Sequence, residues 1–145
     1  MESGSTVTDY LTAGASEFKN NIIAVYTKPI NVDSAGARAI TTGYPDNPMS
    51  AEDKAAMINE AIGLVRAKAE SEGNVILDTR EAVQLTDPFN FNAPNFLPMG
   101  GSPALSGASF VGLDSYFTTV SFKGAFGTEN WASGWVNFNP KVSTY

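Results

Sequence analysis

The chain has no cysteine and no histidine in its 145 residues. Their absence removes disulfides, thiolate nucleophiles, imidazole bases and most zinc or iron sites in one step. It does not fix a redox compartment, because many bacterial surface proteins also lack cysteine. Basic charge is scarce as well: Lys plus Arg number 9 against 15 Asp plus Glu, a formal net charge of −6. With no basic patch to displace counterions from phosphates, nucleic acid is excluded as an expected partner. The same balance disfavours an anionic membrane face. No apolar run is long enough to span a bilayer, and Met1-Glu2-Ser3-Gly4-Ser5 has neither the basic nor the apolar stretch of a signal peptide. What remains is an ordinary apolar content of 43%, enough for a buried core in one domain or a piece of a larger one.

Residues 1–12 are polar and read as a frayed or cut terminus. Ile22 to Tyr26 is β-branched and aromatic after Asn20-Asn21, the pattern of a short buried strand. The Asn pair is explained by turn chemistry, although it also suits a parallel β-solenoid with Asn at its corners. Asn31 to Gly36 reads as a loop, and Gly43 to Pro48 as a turn cluster. A helix is expected at about 51–72, opened by Ser50 and Asp53 and closed by Gly73-Asn74. Its apolar face is Ala55, Ile58, Ile62, Val65 and Ala69. Val75–Leu77, Ala82–Leu85 and Tyr116–Lys123 read as further strands. Four prolines between residues 88 and 103 bar a central strand there and favour an extended chain running over a surface.

The last third carries a family resemblance. Asp87-Pro88-Phe89 through Phe96-Leu97-Pro98, followed by Gly101-Ser102-Pro103-Ala104-Leu105-Ser106-Gly107-Ala108, resembles the segment with which many β-helix proteins leave their last coil. Gly124-Ala125-Phe126-Gly127, with Asn130-Trp131 and Gly134-Trp135-Val136-Asn137-Phe138, is similar to the closing motif of large right-handed parallel β-helix surface proteins of Bacteroidetes-type bacteria. The stretch Phe18 to Ala24 looks like one solenoid rung. The resemblance implies a mainly β fold: residues 13–85 as late β-helix coils with a helical insertion, and 86–145 as a Pro- and aromatic-rich C-terminal cap. It also implies a longer native chain upstream of Met1, and a place on the exterior face of a Gram-negative outer membrane or in secretion.

β-helix lyases and hydrolases work with Asp, Glu, Lys and Arg in a strand-lined groove. The candidates are Asp78, Arg80 and Glu81, with Lys28 and Asp33 in the earlier loop. Asp78 and Arg80, two apart, share a face on a strand and pair as a structural ion pair without any catalytic role. No catalytic residue is therefore assigned. Asp87, Asn90, Asn92 and Asn95 form no convincing calcium set, since three of the four offer only neutral amide oxygens. No metal and no cofactor is expected. Trp131 and Trp135, four apart, meet on one face of a helical turn, where exposed indoles make a carbohydrate-stacking platform. The favoured expectation is instead that both rings, with Phe126, are mostly buried as a seal over the open end of the core.

The function expected is a non-enzymatic cell-surface structural or binding module, a candidate part of a cell-envelope assembly, with a glycan as a candidate ligand. The alternatives are the non-catalytic end of a β-helix carbohydrate-active enzyme and a self-associating surface-layer or filament subunit. The first strand is expected to pair outside the chain, with another protein chain or with upstream coils.

Overall fold

The computed structural model describes residues 17–25, 27–46 and 48–142. Tyr26, assigned above to the first strand, and the polar stretch 1–12 lie outside the described residues. The chain divides into two compact units: Met1–Lys19 with Lys28–Asn74, and Asn20–Thr27 with Val75–Tyr145.

The first unit is helical. α1 spans Ser34–Ile40, and the Asp33 carboxylate caps it by accepting from Gly36 N at 2.7 Å. α2 spans Ala51–Ser71. Ser50 Oγ accepts from Asp53 N at 3.0 Å and donates to the Asp53 carboxylate at 2.7 Å, so the two residues close the first turn together. At the other end Gly73 has φ +77°, and its N–H bonds Glu70 O while Asn74 N–H bonds Ala69 O. That double bond is a Schellman stop, which needs a residue at ease in the left-handed region. Ala37, Met57 and Ala61 are buried together, flanked by Val32, Ile40, Tyr44, Met49 and Ile58. The two alanines let α1 and α2 approach closely, and Met57 fills the gap beside them.

This seam corrects two expectations. The buried stripe of α2 is Met57 and Ala61, whereas Ala55 and Val65 are exposed. Residues 34–36, part of the expected loop 31–36, instead open a helix that runs on to Ile40. A seven-residue helix has little stability of its own, and it forms here because Ala37 is packed against α2.

The second unit holds the strands. β1, Ile22–Ala24, pairs in parallel with β2, Val75–Leu77, in the register Ile22 to Val75 and Ala24 to Leu77. The whole helical stretch 28–74 lies between them in the chain. β3, Leu85–Asp87, pairs antiparallel with β4, Asn95–Pro98. Leu85 faces Pro98 and Asp87 faces Asn95, so β4 carries one extra residue and bulges. Pro98 sits at the end of its strand, where a missing N–H is tolerated. Beyond it, buried Ser102 donates to Val83 O at 2.6 Å and accepts from Ala104 N at 3.1 Å, setting the 3-10 turn Pro103–Leu105.

The expected mainly β fold, a right-handed parallel β-helix end, is not what the chain forms. Among the described residues about 30% are helical, 3-10 turns included, and 10% are in strands, arranged as two helices and two short two-stranded sheets. Strands of three or four residues cannot build the stacked coils of a solenoid, and only one of the two pairs is parallel. Ala82–Leu85 is not one strand: Glu81–Val83 is a 3-10 turn, and Gln84 takes φ +57° before β3 begins. Tyr116–Lys123 forms no strand either. Its backbone bonds are isolated ones instead: Phe117 N to Asp114 O, Ala108 N to Ser121 O and Lys123 N to Ala104 O.

Candidate functional site

The site is built on a turn. Residues 131–135 fold back on themselves, with Ser133 N donating to Asn130 O at 3.0 Å and Val136 N to Ala132 O at 3.2 Å. Gly134 at φ +88° allows the reversal. The geometry brings Trp131 and Trp135 together, with ring centroids 5.7 Å apart and planes at 36°. The spacing of four residues had announced this much.

The rings belong to a longer row. Phe138 meets Phe96 edge-on at 6.2 Å, and Phe96 meets Phe126 at 5.7 Å. Phe126 stacks on Trp131 at 5.0 Å with 8° between planes, and Trp131 meets Trp135. Each such pair contributes about 0.5–1.5 kcal/mol beyond the area it buries. Both indole N–H groups are tied to backbone: Trp131 Nε1 donates to Ala125 O at 2.8 Å, and Trp135 Nε1 donates to Trp131 O. The rings are therefore fixed in orientation while their faces keep their apolar character.

They are not buried. Trp131 is 50% exposed and Trp135 70%. The expected seal over a core fails for both indoles, because Phe96 and Phe126 take the inner places in the row. Phe126 is half-buried, as expected of a covering ring, but Trp135 ends the row facing solvent.

Asp33 is a helix cap, and Lys28 is exposed. Asp78 and Arg80 lie beyond the end of β2 in a bend, so strand alternation does not align them. Arg80 Nε bonds Glu81 Oε1 at 3.0 Å, and its guanidinium lies 4.1 Å from the centre of the Phe89 ring. Glu81's own backbone N–H, and then Arg80, hold the Glu81 carboxyl below the usual carboxylate range. A catalytic acid needs the opposite shift. In the helical unit, Glu72 is held low by Lys68, 2.8 Å away. The Tyr44 phenol is raised by its hydrogen bond to Glu60 at 2.8 Å.

The side-chain oxygens of the Asn-rich hairpin already accept hydrogen bonds. Asn90 donates to Asp87 at 3.1 Å and accepts from Ala93 N, Asn95 accepts from Leu97 N, and Asn92 accepts from Asn139 at 3.0 Å. Among the described residues no group of three acidic, His or Cys side chains is placed to hold a metal ion. No helix of the described residues is long and apolar enough to cross a membrane.

Two hollows open in the second unit. One, of about 690 Å³, is lined chiefly by Ile22, Ala24, Leu85, Phe96, Ala104 and Phe126 and is largely apolar. The other, of about 530 Å³, is formed by the 92–95 hairpin and the turn that carries the tryptophans. Family models, curated proteins and solved structures give no match to this chain.

Proposed function

We propose that the chain is a non-enzymatic binding module that takes a glycan against the ring face of Trp135. The observation that carries this is the 70% exposure of an indole whose N–H is already bonded to backbone. Such a ring offers a flat apolar face and little else, which suits the C–H face of a pyranose. Trp131 and Phe126 stand behind it as a fixed support, so little side-chain freedom is lost on binding.

The non-enzymatic part rests on the electrostatics. Arg80 with Glu81, a charged pair of the strand unit, has its carboxyl shifted away from general-acid use. The resemblance of residues 124–138 to closing segments of bacterial surface proteins supports a location where glycans are the surrounding material.

Affinity electrophoresis through gels containing soluble polysaccharides tests the proposal. Retardation by at least one polysaccharide, abolished in Trp135→Ala, is the expected result. Unretarded migration in every gel, or equal retardation of the variant, contradicts it.

A further inference from the structure

The second hollow bears on which glycan. On one side it is walled by Asn92 and Asn95 of the β3–β4 hairpin, and on the other by Asn130, Ser133 and Asn137 of the tryptophan turn. Ala132, Val136 and Phe138 supply the apolar part of the lining. None of its lining residues is charged. Asn139 Nδ2 donates to Asn92 Oδ1 at 3.0 Å across 47 residues of chain, which ties the two walls together. Trp135, 70% exposed, stands in the chain between Gly134 and Val136, both of which line the cleft.

From these observations, and resting on the reading of Trp135 as a sugar platform, we propose that the cleft is a second subsite selecting uncharged oligosaccharides. Amides and a hydroxyl both donate and accept, and an amide oxygen that already accepts one bond, as in Asn92, Asn95 and Asn137, has a second lone pair, which matches sugar hydroxyls in either role. A uronic or sialic acid would bring a carboxylate to a site with no cation in its lining, on a chain of net charge −6. Desolvating that carboxylate without a partner is unfavourable, so the class taken is neutral. The volume, about 530 Å³, accommodates a short stretch of saccharide in an open groove.

Isothermal titration calorimetry of the full chain is the test. The probes are hexasaccharides of glucose, mannose, xylose and N-acetylglucosamine, the matching disaccharides, and a galacturonate hexasaccharide. At least one neutral hexasaccharide should bind about tenfold or more tightly than the galacturonate. Asn130→Leu should weaken that hexasaccharide about tenfold while leaving the disaccharide within about twofold. Asn137→Leu, at an exposed position, should act in the same direction, and unchanged near-ultraviolet circular dichroism confirms that the turn is intact in each variant. Loss of all binding in Trp135→Ala, with neither Asn variant having an effect, overturns the cleft while sparing the platform. Binding unaffected by Trp135→Ala but weakened by the Asn variants overturns the platform instead. Equal or tighter binding of galacturonate, or no binding of any neutral probe, overturns the assignment of class.

Discussion

The indole of Trp131 lies almost parallel to the ring of Phe126, 8° between planes and 5.0 Å between centroids. This stack decides what Trp135 does. With Phe126 on the inner side, Trp131 acts as a spacer, and the next ring in the row is carried out to solvent.

Stability and binding should therefore separate at Trp135. Replacing it with Ala removes one ring contact, a cost of about 0.5–1.5 kcal/mol. That is well below the roughly 3–5 kcal/mol of truncating an aromatic in a core. Chemical denaturation of the wild type and Trp135→Ala measures the difference.

Gly127 should not tolerate a side chain. It is buried, and a Cβ there would meet the Phe122 ring at 2.5 Å. Gly127→Ala is expected to destabilise by about 1–3 kcal/mol through overpacking. Made together with Phe122→Ala, the same change should be close to neutral, so a double-mutant cycle on denaturation midpoints checks the contact itself.

Asn74 holds the end of α2. It is 5% exposed, and its amide donates to Ala69 O at 2.8 Å and to Phe18 O. Asn74→Ala removes both side-chain bonds, leaving Ala69 O with its backbone donors and Phe18 O without the amide, and should cost about 1–3 kcal/mol. Amide exchange should accelerate first in the last turn of α2, where Ala69 sits.

Acid should weaken the helical unit in a predictable direction. Lys68 lowers the Glu72 carboxyl below its ordinary value. A depressed carboxyl stabilises the fold above its unfolded pKa, and this contribution is lost as pH falls through the folded value. Thermal melting against pH should decline across the acid range, and Lys68→Ala should flatten part of that decline.

Local chemistry was legible where local chemistry decides. Ser50 with Asp53, and Gly73 with Asn74, mark the ends of α2 in the sequence and in the structure alike, and Val75–Leu77 is a strand in both. The failures lie where a distant contact rules. α1 carries the Asp33 cap signal, but seven residues become helical only when Ala37 meets Met57 and Ala61, outside its own sequence window. The alternation of Tyr116–Lys123 finds no ladder partner, so it stays irregular. At the site, the i, i+4 spacing announced that Trp131 and Trp135 meet. It was silent on exposure, because that depends on Phe96 and Phe126 occupying the inner positions. The amide cleft was less visible still, since Asn92 and Asn139 reach each other only after the hairpin and the tryptophan turn have come together.

The chain's two tryptophans are both in the aromatic row, which makes intrinsic fluorescence a direct probe of the proposed platform. Titrating the protein with neutral hexasaccharides while following tryptophan emission tests the central claim most directly. A saturable shift in emission is predicted for at least one glycan, and its loss in Trp135→Ala, where Trp131 remains to report. Emission that stays constant with every glycan, or a shift that survives unchanged in Trp135→Ala, contradicts the account.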